Sequence, residues 1–191
     1  MVNNATAEAV ADWASSQLTA VRELDGGEVG SVYRVDLADD RRVVVKTADT
    51  DLRTEAKMLD HRRSEGGLRV PDVYHSTADL LVLEFVAGDS TVSPAVERDL
   101  AERLTALHAT EAEQFGFPFD TLTGAYRQPN PWTDDWATFF GDERLGYAAN
   151  RASEESVLPP DLAERLERLV EDLPGLLDHD PTPSLVHGDV W

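Results

Sequence analysis

The segment Val43-Val44-Val45-Lys46 limits most strongly what this chain can fold into. Three consecutive β-branched valines favour a buried strand. A lysine at the end of such a strand carries a charge that is costly to bury unless an anion compensates it. The chain has only two lysines among its seventeen basic residues, Lys46 and Lys57. A lysine at this position therefore indicates a functional ammonium group rather than a solvated surface residue.

The residues around Lys46 predict a sheet with one inserted helix. Alternating apolar residues predict strands on both sides of a glycine-rich turn, and 70–76 and 79–86 predict an edge strand and a buried strand. Residues 51–64, which follow the Lys46 strand and precede these two strands, predict a helix that carries Glu55 on its first turns. The expected result is about five antiparallel strands. The turn consists of Gly26, Gly27, Gly30 and Ser31, whose backbone N–H groups could approach phosphates closely, although such turns also occur in ordinary hairpins.

Helices are predicted before and after this sheet along the chain. Residues 5–20 show apolar spacing typical of an amphipathic helix, as do 159–178. Ser93 and Pro94 are predicted to open a third helix as N-cap and first-turn proline. Since the strand pattern stops near residue 87, everything beyond it is predicted to be helical, and the boundary between two lobes is placed between residues 87 and 88.

Aromatic side chains are concentrated between residues 115 and 140, with amide and carboxylate side chains among them. Thr133 is predicted to cap a helix there, followed by acidic residues in the favourable first turn. Mixed aromatic and polar side chains such as Asp135 and Trp136 suit sugar binding, and they equally suit the packed edge of a core. The sequence alone leaves both interpretations open.

The C-terminal residues combine a short apolar run with His187-Gly188-Asp189. Glycine lets the backbone bend sharply after the apolar run, which can direct the Asp189 carboxylate towards a substrate as a general base. The same triplet also occurs in ordinary loops. The order of the features upstream, a glycine-rich turn, Lys46, Glu55 and a second apolar strand, favours the catalytic interpretation, because phosphotransferases related to protein kinases require that order.

Composition excludes several classes of function. The chain of 191 residues is 41% hydrophobic and has no cysteine, which predicts a globular cytoplasmic protein without disulfides, thiolate catalysis or cysteine metal sites. No apolar run is long enough to span a bilayer, and no signal peptide is visible. The formal charge of −20 argues against nucleic-acid binding and predicts adaptation to a salt-rich cytoplasm.

The motifs together resemble those of the fructosamine (ketosamine) kinase family, within the aminoglycoside-phosphotransferase-like group of protein-kinase-like folds. The resemblance spans nearly the whole chain and is most specific in its second half. It rests on Gly26-Gly27…Val29…Tyr33-Arg34, Val45-Lys46, Glu55-Ala56…Leu59, Val70-Pro71, Leu81-Val82-Leu83-Glu84, Leu104…Leu107-His108, Phe115-Gly116, Trp132-Thr133-Asp134-Asp135-Trp136…Phe139-Phe140 with Arg144-Leu145, and Leu185-Val186-His187-Gly188-Asp189…Trp191.

The resemblance implies a bilobal α+β fold, with an N-terminal nucleotide-binding lobe over 1–87 and an incomplete helical lobe over 88–191. It also implies ATP-dependent phosphorylation of a sugar hydroxyl on a ketosamine, either a small molecule or a glycated protein amine. In such an enzyme Asp189 accepts the hydroxyl proton, and His187 supports the catalytic turn. Lys46, aligned by Glu55, holds the α- and β-phosphates.

The resemblance assigns two further groups of residues to the binding sites, and the sequence departs from the family at one position. Backbone groups of Glu84, Phe85 and Val86 are expected along the adenine edge, and Asp135 and Trp136 on the substrate side. Gly30 stands where the family has a small polar residue, so phosphate contact there is expected from the backbone alone.

The family's Mg²⁺ ligands are an Asn and an Asp that follow this turn, and they are expected only beyond Trp191. We therefore expect the 191 residues by themselves to have negligible kinase activity, and the apolar faces over 132–178 to be partly uncovered. The alternatives are a kinase for aminoglycosides, choline or homoserine, and a non-catalytic nucleotide-binding remnant. The sequence indicates no oligomeric state.

Overall fold

The computed structural model describes residues 2–24, 29–65, 69–88 and 91–187. The first part of the chain alternates helices with strands, and the part that follows is mainly helical. In chain order the elements are α1 (Asn4–Ala14), β1 (Leu18–Leu24), β2 (Ser31–Leu37), β3 (Arg42–Thr47), α2 (Leu52–Glu65), β4 (Val73–Ser76), β5 (Leu80–Glu84), α3 (Pro94–His108), β6 (Thr121–Thr123), β7 (Tyr126–Gln128), α4 (Trp136–Phe140), a π-helical segment (Gly141–Gly146), α5 (Tyr147–Glu154) and α6 (Pro160–Leu176).

Five strands form one antiparallel sheet in the order β1-β2-β3-β5-β4. The prediction of a five-stranded sheet with one helix inserted after the lysine strand is confirmed. Leu80 to Leu83 are all buried on β5, which lies between β3 and β4. That position explains why this strand reads as a continuous apolar run, since both of its faces are covered.

Each face of the sheet packs against one helix. On one face, α1 contributes Val10 and Ala14 to a cluster with alternate residues of the strands. On the other face, α2 contributes Leu52 and Ala56, which pack with Leu81 and Leu83. The period-2 alternation of the strands therefore divides the apolar residues between two cores. The strand residues of the first core are Tyr33, Val35, Leu37, Val43, Val45, Leu80 and Val82.

The prediction of a helix over 5–20 is wrong in its second half, because α1 ends at Ala14. Ser15 takes a left-handed conformation, with φ 50°, and its N–H donates to carbonyls of the last turn. Leu18, counted with the helical apolar residues in the sequence, instead begins β1 and pairs with Leu37. Hydrogen bonding to the free edge of β2 outweighs the local helical spacing over these residues.

The chain divides into two compact units. The first comprises residues up to 106 together with 122–126, and the second comprises 107–121 together with the residues from 127 onwards. The predicted lobe boundary between residues 87 and 88, placed where the strand pattern stops, stays a prediction.

In the second unit, α4, the π-helical segment and α5 follow one another without a break. Gly141 lets the π-helical segment approach α6, since a Cβ there would lie 3.2 Å from side-chain carbons of Val170 and Leu173. This close approach packs α6 against the segment and buries Leu173.

Two further expectations for this part of the chain need correction. The part beyond residue 90 is mainly but not wholly helical, because β6 and β7 pair as a two-stranded sheet. The cap of α4 is Asp135 rather than Thr133, whose hydroxyl accepts the Asp135 N–H at 3.4 Å. Residues 141–154 are helical, in line with the general prediction for this part of the chain, but no separate helix was predicted there, because their glycines and short apolar spacing do not favour one.

Within the described residues no helix is long and apolar enough to cross a membrane. Several apolar side chains between residues 132 and 178 are exposed, as expected. Those most exposed there are Trp132 at 49%, Val157 at 68% and Leu176 at 64%.

Candidate functional site

Lys46 and Glu55 form an ion pair on the face of the sheet that α2 covers. The Lys46 Nζ donates to the Glu55 Oε2 at 2.7 Å. Lys46 projects from β3, where it lies opposite Val32 and Leu81. Glu55 lies in the first turn of α2, where the helix dipole favours a carboxylate. The two side chains are 21% and 28% exposed, so water and ligands can reach both.

The position of Glu55 follows from how α2 is anchored. Leu52, the first residue of α2, is fully buried, and its N–H donates to the Ala78 carbonyl at 2.9 Å. Ala56, one turn later, is also buried. Residues 52 and 56 therefore fix the helix on the sheet and leave Glu55 directed towards Lys46. An ammonium that gives one proton to Glu55 keeps two for an external anion.

Gly30 lies next to this pair and has a conformation that requires glycine. Its φ is +91°, and a Cβ on it would overlap the backbone oxygen of Thr47. Ser31 begins β2 opposite Thr47, the residue after Lys46. Gly30 and Ser31 therefore lie beside the end of β3 that carries Lys46. Gly26 and Gly27, predicted to contact phosphates, lie outside the described residues.

The segment Glu84–Val86 leaves the central part of the sheet at the end of β5. The Glu84 N–H donates to the Asp72 carbonyl at 2.8 Å, and its carboxylate accepts from Arg69 at 3.1 Å. Phe85 is half-buried, and Val86 is 46% exposed. All three residues lie in the first unit with Lys46, Glu55 and Gly30, although nothing in the structure tests their predicted role in binding the base.

Asp135 and Trp136, predicted for the substrate side, have clear structural roles in the second unit. The Asp135 carboxylate accepts from the Thr138 N–H at 2.6 Å and caps α4, and hydrogen bonding with Thr138 lowers the pKa of Asp135 from its ordinary value. Trp136 packs in a cluster of aromatic rings, 5.4 Å from Phe115 and 5.5 Å from Phe140 between ring centroids. Packing and capping explain both residues, and a substrate role for them stays a prediction.

Asn130 and Arg144 are structural residues whose importance the sequence did not show. Asn130 is 5% exposed, and its Nδ2 donates to three oxygens of the hairpin segment, those of Phe119, Thr121 and Gln128. Its Oδ1 accepts from Arg144 at 2.6 Å. Burial lowers the pKa of Arg144. The one available signal was an amide side chain between Pro129 and Pro131, and that signal also suited sugar binding.

The residues leading to the His-Gly-Asp turn are held within the second unit. Leu185 donates its N–H to the Thr110 carbonyl at 2.9 Å, and Ala112 donates to the Pro183 carbonyl at 3.0 Å. These hydrogen bonds hold the chain as far as Leu185, two residues before His187. His187 is the last described residue. Asp189, the predicted general base, lies outside the described residues. Among the residues described up to His187, no group of three or more His, Cys, Asp or Glu side chains could hold a metal ion.

Comparison with known proteins gives one family. The profile of the fructosamine kinase family matches residues 2–191. A probable ketoamine kinase of Vibrio cholerae is 31% identical over 183 residues, which cover 91% of this chain and 62% of that protein. A probable ketoamine kinase of Pasteurella multocida is 34% identical over 151 residues, covering 76% of this chain and 51% of that protein. The chain thus spans between half and two thirds of the length of these relatives.

Solved structures agree with the family match. A candidate fructosamine-3-kinase from Thermobifida fusca superposes with a TM-score of 0.80 at 27% identity, covering 100% of this chain and 68% of that one. An aminoglycoside phosphotransferase superposes with a TM-score of 0.57 at 15% identity, covering 92% of this chain and 60% of that one. The second likeness concerns the fold alone.

Proposed function

The chain belongs to the fructosamine kinase family, as its motifs predicted, and from this membership we propose that the protein transfers the γ-phosphoryl group of ATP to a sugar hydroxyl of a ketosamine. The observation that carries the proposal is the Lys46–Glu55 ion pair beside the Gly30 turn. Kinase-like phosphotransferases use such a pair to hold nucleotide phosphates. The substrate class rests on relatives named as ketoamine kinases.

The residues of the first unit fit a nucleotide. Lys46 keeps two ammonium protons for the α- and β-phosphate oxygens, while Glu55 fixes its side chain. At Gly30 the backbone packs directly against the Thr47 carbonyl, where a Cβ would overlap, so Gly30 and Ser31 lie beside the end of the strand that carries Lys46. Gly26, Gly27 and Ser31 complete the proposed phosphate turn. The backbone of Glu84, Phe85 and Val86 is proposed for the adenine edge.

The proposed chemistry of the acceptor falls to Asp189. Its carboxylate takes the proton of the sugar hydroxyl as the oxygen attacks the γ-phosphorus, and the bond from that phosphorus to the β,γ-bridging oxygen breaks. His187 supports the turn that holds Asp189, and Asp135 with Trp136 is proposed to contact the substrate. When bound, Mg²⁺ neutralises charge on the phosphates. No described residue is given a role in holding it.

Nucleotide binding by the 191-residue chain tests the proposal directly. We expect Lys46→Met to weaken ATP binding by tenfold or more, about the loss that follows removal of a charge-assisted phosphate contact. The chain offers a matched control, since Lys57→Met removes its other lysine, which is exposed on α2. Isothermal calorimetry with ATP measures both. Equal affinities for the two variants, or no ATP binding by the unaltered chain at millimolar concentration, would contradict the proposal.

Phosphoryl transfer tests the finer parts of the proposal. A panel of a ketosamine, an aminoglycoside, choline and homoserine identifies the acceptor class, and we expect the ketosamine to be preferred. Turnover that requires ATP and Mg²⁺ should be lost in Asp189→Asn, and turnover that persists in that variant would contradict the role proposed for Asp189.

A further inference from the structure

The side chain of Phe85 has two arginine neighbours, one on each of two adjacent strands. The guanidinium carbon of Arg34, on β2, lies over the Phe85 ring at 5.4 Å from its centroid, and that of Arg42, on β3, lies at 5.3 Å. Both distances are within the range of favourable cation–π contacts. Phe85 directly follows β5, so its ring links the segment leaving the sheet to β2 and to β3, the strand that carries Lys46.

Asp36 holds both arginines in place. Its carboxylate accepts from the Nε and Nη2 of Arg34, the latter at 2.8 Å, and from the Nε of Arg42 at 2.6 Å. These hydrogen bonds, that of Arg34 first, lower the pKa of Asp36, so the carboxylate stays ionised at neutral pH. One carboxylate thus fixes two planar guanidinium groups, and less rotamer entropy remains to be lost when they contact the ring.

The residue before Phe85 is fixed from another direction. The Glu84 carboxylate accepts from Arg69 at 3.1 Å and from the Asp72 N–H at 3.4 Å, while the Glu84 N–H donates to the Asp72 carbonyl. The segment is therefore attached through Glu84 to the residues before β4 and through Phe85 to β2 and β3. Its backbone is constrained immediately before the exposed Val86.

We propose that Arg34, Arg42 and Asp36 are positioning residues that clamp Phe85, so that the backbone of Glu84 and Val86 is held in place to bind the nucleotide base. The inference rests on the proposed function and deepens it, because it assigns the preference for adenine over guanine to this clamp. A preformed binding segment has less conformational freedom to lose when the base binds. Loss of the clamp therefore reduces the affinity of the base and leaves the phosphate contacts in place.

A simpler electrostatic role for the arginines makes a different prediction. The positive charges of Arg34 and Arg42 would attract any nucleoside triphosphate to this acidic chain, whichever base the nucleotide carries. ATP and GTP carry the same triphosphate, so the ratio of their affinities isolates the contribution of the base. Phe85→Leu distinguishes the clamp from the electrostatic role in a second way, because it removes the ring without changing the charge.

The experiment measures dissociation constants of ATP and GTP by calorimetry on the 191-residue chain. Phe85→Leu, Arg34→Met and Arg42→Met are compared with Phe85→Tyr, which keeps an aromatic ring, and with Arg41→Met. Arg41 is a matched control, since it also pairs with a carboxylate, that of Asp39, and lies over an aromatic ring, that of Trp13 at 5.7 Å. Near-ultraviolet circular dichroism shows that each variant is folded.

We expect the unaltered chain to prefer ATP. Phe85→Leu should weaken the binding of ATP about tenfold and the binding of GTP less than about threefold. Each arginine variant should lower the preference for ATP by a smaller factor, and Phe85→Tyr should keep that preference. Parallel loss of ATP and GTP, effects no larger than that of Arg41→Met, or no preference in the unaltered chain would overturn the inference. If Lys46→Met weakens ATP and GTP equally while the clamp variants change nothing, the proposed function survives and this inference alone fails.

Discussion

Asn130 shows how one buried amide can support a segment that lacks regular structure. It satisfies two backbone carbonyls and a hydroxyl with its Nδ2, and its Oδ1 accepts from Arg144, whose guanidinium also lies over the Phe139 ring at 4.4 Å. Arg144 in turn donates to the Pro129 carbonyl at 2.9 Å. The residues before α4 are therefore connected to the π-helical segment through polar side chains.

Replacing Asn130 with alanine should destabilise the second unit substantially. The change leaves buried oxygens and part of the Arg144 guanidinium without their partner, at a cost of about 2–3 kcal/mol in the free energy of unfolding. Urea denaturation followed by tryptophan fluorescence measures the loss. The control is Asn150→Ala, which removes an exposed amide from α5. An Asn130→Ala chain as stable as the control would show that water replaces these hydrogen bonds.

The Asp135 cap gives a pH dependence whose sign follows from its pKa. Hydrogen bonding with Thr138 makes the pKa of Asp135 lower in the folded chain than in the unfolded chain. The contribution of the carboxylate to stability is therefore present above the unfolded value, about 3.9, and disappears as the pH falls through the lower folded value. Asp135→Ala should lower the Tm at neutral pH, and the difference from the unaltered chain should shrink below about pH 4.

Thermal unfolding monitored by circular dichroism across this pH range measures the difference. Asp178→Ala removes an exposed carboxylate after α6 and should leave the Tm nearly unchanged at every pH. A Tm difference for Asp135→Ala that stayed constant into the acid range would mean that the cap acts through packing and not through the ionised carboxylate.

Among the elements, the β2–β3 pair depends on a glycine at its start. Gly30→Ala would place a methyl group against the Thr47 carbonyl at a residue whose φ is +91°. The combined strain and overlap should cost about 3 kcal/mol in the free energy of unfolding. Gly88→Ala provides the control, because a Cβ there meets nothing within 4 Å. Urea denaturation decides between them, and equal midpoints would contradict the strained geometry at Gly30.

The elements that were predicted correctly are those whose pattern and environment agree. The Val43–Lys46 strand, the buried run over residues 80–84 and the helix carrying Glu55 each have one period and a clear stop signal, so local sequence suffices. The sequence also predicted that Lys46 and Glu55 would act together, and the structure pairs them at 2.7 Å.

Predictions failed where a distant partner decided the outcome. Residues 18–20 have helical spacing, but they pair with the edge of β2 and so form the start of β1. The π-helical segment depends on the contact of Gly141 with α6, which lies some thirty residues further along the chain. The role of Asn130 depends on Arg144 and on three hairpin oxygens, so no local pattern distinguishes it from a substrate-binding amide.

At the scale of the whole molecule, charge dominates over individual ion pairs. The formal charge is −20 with a pI near 4.4, whereas most ion pairs of the described residues join exposed side chains, such as Asp51 with Arg53 and Asp99 with Arg103. Pairs of that kind contribute about 0–1 kcal/mol each and weaken with salt. The unpaired excess of carboxylates repels throughout the folded chain, and its screening should outweigh the weakening of the pairs.

The hypothesis of salt adaptation therefore predicts that the Tm at neutral pH rises between low salt and about 1 M KCl, where the Debye length falls to about 3 Å. Most of the rise should occur below about 0.3 M, because screening changes most steeply there. At the pI, near pH 4.4, the net charge is close to zero and the rise should nearly vanish. That comparison separates charge screening from the general stabilising effect of salts on apolar burial, which persists at both pH values. A Tm that is the same in low and molar salt at neutral pH would show that the acidic surface is unrelated to salt.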